Sequence, residues 1–408
     1  MSDSDLAGVA RAELSSKPSA VEVLKAFTWL GITCFGGPVA HLGYFRTEFV
    51  NRRRWISERS YADLVGLCQF LPGPASSKLG FSLGLMRAGY LGGLAAWVGF
   101  TLPSAFVLVL FAYGAGALLG TPVGQGLLHG LKLVAVAIVA QAVWGMAQSL
   151  CPDRQRASIA VGAAILVLLA PSSVGQISAI ALGAALGVRY CREARESVPE
   201  PLHFAVTQRV GILTLCAFTI LLVISFWPAG DTPLGMFNAF YRSGALVFGG
   251  GHVVLPLLSE AVSAPGWIDQ ASFLAGYGAA QAVPGPLFTF AAFLGAALTR
   301  PVSGVAGAAL ALVAIFLPGM LLQLGILPFW NSLRGQRHLQ SAMRGINAAV
   351  VGVLVAALYS PVWTTAVQRP ADFAVTLAGF VLLVIWKMPS FFVVFLCALA
   401  GIGLSAFR

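Results

Sequence analysis

Apolar residues run through this chain in long unbroken stretches, separated by short polar loops in which basic residues predominate. Continuous runs at 92–119, 131–150, 210–229, 302–327 and 345–366 predict membrane-crossing helices, since about 20 apolar residues suffice to span a bilayer. Shorter paired spans are predicted at 157–188 and 372–406. A transmembrane barrel would instead show short segments of alternating hydrophobicity. Two stretches interrupt this pattern. Gln69-Phe70-Leu71-Pro72-Gly73-Pro74 and Gln281-Ala282-Val283-Pro284-Gly285-Pro286 lie within apolar sequence. There the prolines and glycine stop a helix and free backbone groups that hydrocarbon does not satisfy. Such a break persists at membrane depth only where protein or a watery cavity covers it.

The two breaks are one pattern repeated. Gln281 follows Gln69 by 212 residues, and Trp267-Ile268 follows Trp55-Ile56 at the same interval. Phe248-Gly249-Gly250-Gly251 and His252 match Phe35-Gly36-Gly37-Pro38 and His41 at nearly that interval, without the proline. Leu317-Pro318-Gly319 and Gly345-Ile346-Asn347 follow Leu102-Pro103-Ser104 and Gly130-Leu131-Lys132 by 215. Repetition in this order divides the chain into a polar cytoplasmic N-terminus (1–20) and a first repeat (21–190). A basic linker with one connecting span (191–233) and a second repeat (234–408) complete it.

Equivalent loops exchange their charge. Arg46, Arg52, Arg53, Arg54 and Arg59 crowd 46–59, whereas 259–270 holds Glu260 and Asp269 and no base. Conversely, 120–131 has no Lys or Arg, whereas 331–344 has Arg334, Arg337 and Arg344. Basic loops stay cytoplasmic, so the repeats are predicted to be inverted, as in many secondary transporters. Keeping 46–59, 151–156 and 189–209 cytoplasmic requires 60–87 to return to its own side, as two half-helices meeting at Pro72-Gly73-Pro74. The Phe35-Gly36-Gly37-Pro38 segment is expected to do likewise. The predicted fold is an all-α polytopic membrane protein of two inverted repeats, with about nine crossings and four re-entrant hairpins.

Composition agrees, at 58% hydrophobic and 10% charged over 408 residues with a mean hydropathy of +0.84. Soluble domains carry about 25% charged residues. A net charge of +10 would suggest nucleic acid in a soluble protein. Here the bases gather in short loops, and no nucleic-acid partner is expected. The six cysteines show no C-x-x-C spacing, and Cys34, Cys68, Cys216 and Cys397 are expected as small core residues. No metal and no cofactor are expected. Residues 1–20 carry no cleavable signal peptide. An intramembrane enzyme would need a nucleophile with its base, or clustered carboxylates, and membrane-embedded acids are almost absent. Gly73 to Lys78 contains P-loop letters in the wrong order. The chain therefore reads as a transporter and not an enzyme.

Candidate chemistry centres on the first break. After Pro74 the helix restarts as Ala75-Ser76-Ser77-Lys78, with free N–H groups, two hydroxyls and a cation. That combination suits an anion. Lys78 either binds it or snorkels to an interface; Ser76 and Ser77 either donate to it or cap the half-helix. The second break offers only Thr289, with Leu287 and Phe288 in place of the serines, so the site is expected to be asymmetric. Gly73, Pro74 and Gly285, and the glycine turns Gly36-Gly37 and Gly249-Gly250, are expected among the substrate-binding residues. Gln69 and Gln281, at matching depth, either satisfy freed carbonyls or line the pathway. His41 and His252 are candidates to carry protons or to act as structural residues. Arg46 either sets topology or draws anions to the cytoplasmic mouth.

The Phe-Gly-Gly-Pro element at 35–38, Trp-Ile at 55–56 and Gln-Phe-Leu-Pro-Gly-Pro at 69–74 resemble the chromate ion transporter family. So does the second set at 248–251, 267–268 and 281–286. The resemblance covers essentially the whole chain and matches the long, two-domain members. It implies chromate efflux across the inner (plasma) membrane of a bacterium or archaeon, conferring chromate resistance. Sulfate or another oxyanion, or a passive anion channel, is the alternative. The expected partners are the oxyanion and the lipid bilayer, with a homodimer as a possible assembly.

Overall fold

The computed structural model describes residues 19–35, 37–118, 121–170, 173–191, 204, 206–247, 254–263, 265–333 and 336–406. Among these residues all regular structure is helical, and the protein is an all-α polytopic membrane protein. The first repeat contains α1 (Ala20–Thr33), α2 (Gly37–Phe45) running into a π-helical turn (Arg46–Arg52), and α3 (Glu58–Phe70). It continues through α4 (Ala75–Leu118), α5 (Pro122–Leu150), α6 (Arg154–Leu169) and α7 (Ser173–Tyr190), and α8 (Gln208–Ser225) connects the halves. The second repeat contains α9 (Pro233–Ala245), α10 (Val254–Ser263), α11 (Gln270–Ala282), a 3-10 turn (Leu287–Thr289) and α12 (Phe290–Ala297). Then come α13 (Gly304–Ile326), α14 (Arg337–Ala357), α15 (Pro370–Val384) and α16 (Ser390–Ala406).

The first repeat folds into two hairpins and then turns once more before it crosses. Phe27 on α1 stacks on Phe49 (4.9 Å between centroids) and meets Phe45 edge-on (5.4 Å), so α1 and α2 lie side by side about residues 34–36. Gln323 of α13 donates to both Ser82 (2.7 Å) and Cys68 (3.6 Å). These residues flank Pro72-Gly73-Pro74, so α3 and the start of α4 form a second hairpin. α4 itself reverses at Ala88 and Gly89, the glycine taking φ 65°. Gly84 and Gly92 then pack backbone to backbone across the turn.

The open ends of these hairpins share one level. Arg87 pairs with Glu22 (3.1 Å), Arg53 approaches the same carboxylate (3.8 Å), and both guanidinium groups cover Trp55. The chain therefore leaves this level and returns to it twice, as expected of re-entrant segments. A related cluster joins Asp231, at the end of the linker, to Trp267 and Arg300 of the second repeat. Trp267 Nε1 donates to Asp231 (2.7 Å), and Arg300 pairs with it (2.9 Å). Helix starts also correspond: Ser57 accepts from Ser60 N, and Asp269 accepts from Ser272 N.

The inversion is visible where equivalent helices cross. The second arm of α4 (90–118) corresponds to α13. Trp97 lies 5.8 Å from Phe316, while the Tyr113 hydroxyl lies 2.9 Å from where a Cβ on Gly304 would stand. Residue numbers rise along one helix as they fall along the other, so equivalent helices run antiparallel. The C-terminal helices interleave. α5 packs on α15 and α16 of the other half, and α14 packs on α6 and α7. Small residues permit these approaches: Gly130 meets Cys397 and Ala398, and Gly345 meets Gly183 and Gly187. Among the described residues five segments, on α4, α5, α8, α13 and α14, are long and apolar enough to cross a membrane. α6, α7, α15 and α16, at 16, 18, 15 and 17 residues, form the two short pairs at corresponding places. Cys34, Cys68 and Cys397 are core residues as expected. Cys216 is exposed instead, because little of α8 packs against the rest of the chain.

Candidate functional site

The two Pro-Gly-Pro tips are locked into the opposite repeat. Gly73 N donates to Val247 O (2.7 Å), and Gly285 N donates to Cys34 O (2.9 Å). Cys34 and Val247 are equivalent residues, each immediately before a Phe-Gly-Gly element. Reciprocal contacts of this form are the mark of a two-fold relation. Both glycines occupy the left-handed region, at φ 98° and 96°, which an L side chain adopts only with strain. Space is tight as well. A Cβ on Gly73 would stand 3.1 Å from Gly319 Cα, and one on Gly285 would stand 2.8 Å from Ser104 Oγ. Pro103 and Pro318 directly precede these contact residues, so each crossing helix carries its proline where the other repeat's tip docks.

At the first tip Ser76, Ser77 and Lys78 are all buried, Lys78 to 1% exposure. Its ammonium turns back across the break and donates to Leu71 O (2.5 Å) and Pro72 O (2.9 Å). Leu71 is the C-cap of α3. One lysine thus stands at the positive end of one half-helix and neutralises the negative end of the other. Its stem passes Gly319, where a larger residue would meet the Cγ and Cδ carbons. An ammonium has three donors, so one remains. Ser77 Oγ, Trp97 Nε1 and Thr101 Oγ1 are buried without hydrogen-bond partners. Trp97 and Thr101 lie on the returning arm of α4. Phe81 there faces Gly93, which places residues 77 and 97 at about the same level.

The second tip is built of different residues. At the 212-residue interval Ser76, Ser77 and Lys78 correspond to Phe288, Thr289 and Phe290, so one hydroxyl is kept where Leu287 and Phe288 were expected to replace both serines. Leu287, Phe288 and Phe290 are buried, and Thr289 Oγ1 donates to Pro286 O (2.7 Å). Gln281 is buried, and its backbone carbonyl accepts from Ser390 (3.3 Å). Gln69, expected at matching depth, is exposed. Leu64, Leu67, Cys68 and Leu71 form the buried face of α3, and Gln69 points away from it. Residues 273–281 of α11 are instead buried all round.

His41 is 1% exposed, edge-on to Phe100 (5.3 Å) and beside the Cys34 carbonyl, with neither ring nitrogen in a well-formed hydrogen bond. Arg46 is exposed at the hairpin mouth and bonds Glu58 (2.7 Å); that bond and charge hold its guanidinium above its ordinary value. It is therefore a surface residue, separate from the tips. Gly37 opens α2, while Gly36, Gly249, Gly250 and His252 lie outside the described residues.

The chromate transporter profile matches the chain twice, at residues 21–188 and 234–402. The chain belongs to the chromate transporter family. A "Chromate transport protein" of Pseudomonas aeruginosa is 27% identical over 376 residues, covering 90% of this chain and 87% of the relative. A "Probable chromate transport protein" of Synechococcus elongatus is 25% identical over 408 residues, covering 93% and 94%. One from Cupriavidus metallidurans is 25% identical over 339 residues, covering 83% and 81%. No solved structure matches.

In this chromate transporter family member the interior also holds polar residues outside the sequence-predicted site. Gln323 is fully buried and bonds Ser82, with Oε1 left without a partner. A lone amide five residues after Pro318 in an apolar run was the available signal. Trp97 and Thr101 offered none, because a tryptophan and a threonine within a spanning helix read as packing residues. Among the described residues no group of three His, Cys, Asp or Glu is placed to hold a metal ion.

Proposed function

We propose that the protein exports chromate from the cytoplasm across the inner membrane of a bacterium or archaeon, conferring chromate resistance. The observation that carries this reading is the first tip, where Lys78, Ser76 and Ser77 are buried at the start of a half-helix beside the junction of the inverted repeats. The unbonded Ser77, Trp97 and Thr101 groups include the kind of donors that replace water around a tetrahedral dianion. The remaining N–H of Lys78 supplies charge to the same end. Family membership and the names of the relatives support chromate as the anion.

Gly73, Pro74 and Gly285 are read as the rigid walls of the pathway, and Gln281 as a polar residue beside the second tip. The arginines at the mouth of the first repeat, Arg46 among them, draw anions to the cytoplasmic side. Rocking of the repeats about Pro103 and Pro318 would alternate access. An interior-negative potential favours anion exit by about 2.3 kcal/mol per charge per 100 mV. No bond is made or broken in this scheme.

Everted membrane vesicles containing the protein are expected to accumulate labelled chromate, with weaker competition by sulfate. Uptake of sulfate unaffected by chromate would replace chromate as the substrate. Uptake of neither anion above empty vesicles would refute the transport reading.

A further inference from the structure

A second buried polar site lies away from the tips and joins the two repeats. His129 on α5 and Asp372 on α15 meet through Nε2 and Oδ1 at 2.7 Å. The residues are only 9% and 2% exposed. The other carboxylate oxygen accepts from the backbone N–H groups of Gln368 and Arg369, both at 3.1 Å. The two backbone donors suit an ionised, acceptor-only carboxylate, which assigns the hydrogen of the short contact to Nε2 and leaves Nδ1 as the ring nitrogen that can take up a proton. A cavity of about 220 Å³ lies beside His129, lined by Pro122, Gln125, Gly126, Gly401 and Ser405. It lies at the start of α5, next to the base-free segment 120–131 that the charge pattern places outside the cell.

Ionisable residues inside a membrane bundle are costly and are functional by default. The other ionisable side chains near this pair are few. Lys132 is one turn further along α5, Arg369 is exposed at the start of α15, Cys397 lies on α16 and Tyr277 on α11. α14 brings Arg337, His338 and Arg344 only in its first half, and Tyr359 lies in a second π-helical turn (Leu358–Trp363) that follows it. The position equivalent to His129 in the second repeat is Arg344, 215 residues on. The two ends of the protein thus differ, one carrying an arginine and the other a histidine at the equivalent place.

We propose that His129 and Asp372 form a proton-binding site on the outer side, loaded at His129 Nδ1 from the adjoining cavity. Its occupancy sets how firmly α5 and α15 hold together. With the proton bound, imidazolium and carboxylate attract across the repeat boundary. Without it, a single negative charge remains in a poorly solvated place and the contact loosens. Protons taken up from outside thereby bias the movement of one repeat against the other.

The first test needs no transport. Proton uptake by purified protein in nanodiscs is measured between about pH 8 and pH 5, for wild type and His129→Gln. A deficit of about one proton per chain in the variant is expected. Equal uptake overturns the proposal, whatever anion is carried. The second test rests on the transport reading. In proteoliposomes, wild-type flux is expected to change at least about threefold between external pH 6 and 8, and His129→Gln to be nearly flat at equal incorporation. A variant with the wild-type profile overturns the coupling. Should His129→Gln not insert, Asp372→Asn keeps an acceptor for both backbone N–H groups. It is expected to displace the proton-binding range and the flux profile together. Displacement of neither would sink the proposal.

Discussion

The two Pro-Gly-Pro tips share a backbone and differ in almost every side chain that follows. Gly73 and Gly285 have nearly the same φ and make matching hydrogen bonds to the opposite repeat. After the break, however, one tip presents Ser76, Ser77 and Lys78 and the other presents Phe288, Thr289 and Phe290, which keeps one hydroxyl and no charge. The same inequality holds in the helices that face them, since Ser104 of the first repeat stands where the second has Gly319. Architecture is therefore shared between the repeats, whereas polar chemistry is concentrated in the first. A transporter built this way needs the second tip as a partner in geometry more than as a source of binding groups.

The comparison breaks most decisively if the repeats are not inverted. Arg54 and Pro265 occupy equivalent exposed loops. In a cysteine-free background, Pro265→Cys is expected to react fully with an impermeant thiol reagent on intact cells, and Arg54→Cys only after permeabilisation. Equal labelling of both on intact cells would refute the inversion.

Lys78→Met comes next in size. It removes a charged donor from the tip and leaves the Leu71 and Pro72 carbonyls unbonded, at about 1–3 kcal/mol for each buried group. A fall of roughly 10–100-fold in transport is expected, with a lower melting temperature in detergent. Lys78→Arg should recover part of both, and Phe290→Leu should cost less than about 1.5 kcal/mol with flux near wild type. Wild-type flux in Lys78→Met at equal expression would move the site elsewhere.

Alanine at either tip glycine tests the shared architecture. Gly73→Ala and Gly285→Ala should each cost about 1–3 kcal/mol, from left-handed strain and crowding. Ser104→Gly is expected to restore part of the loss at Gly285, since Ser104 Oγ is the nearest obstacle there. Gly73 faces the backbone of Gly319 and has no such remedy. Thermal unfolding as stable as wild type in either alanine variant would contradict the docking of the tips. The smallest difference lies at the hairpin bases. Glu22→Gln, which disturbs a part-buried pair of arginines, should cost about 1–3 kcal/mol. Asp231→Asn, in a more exposed ion pair, should cost less than about 1 kcal/mol. Melting temperatures of the two variants order these effects, and a larger loss at Asp231 would reverse the assignment.

Much of this arrangement was legible in the sequence because it rests on local signals. Proline and glycine mark the tips, the 212-residue interval relates them, and exchanged arginines report the inversion. Lys78 could be placed by counting four residues from Pro74. Its direction could not, because a flexible stem chooses between an anion ahead and freed carbonyls behind. Gln69 and Gln281 show the limit of arguing from equivalence. Equal positions in two repeats meet unequal neighbours, and α3 keeps an open side where α11 has none. The crossed bonds of Gly73 and Gly285 are long-range pairings with no local trace, as is the contact of His129 with Asp372.

Those crossed bonds also bear on how the protein is made. The carbonyl that receives Gly73 N–H belongs to Val247, which is synthesised 174 residues later. At about 5–20 residues per second, the first tip waits roughly 10–35 s inside or beside the insertion machinery before its acceptor exists. During that interval Lys78 is the local group able to cover the freed Leu71 and Pro72 carbonyls. The first tip is thus covered on one side by its own lysine from the start, and only completion of the second half supplies the Val247 carbonyl that closes the other.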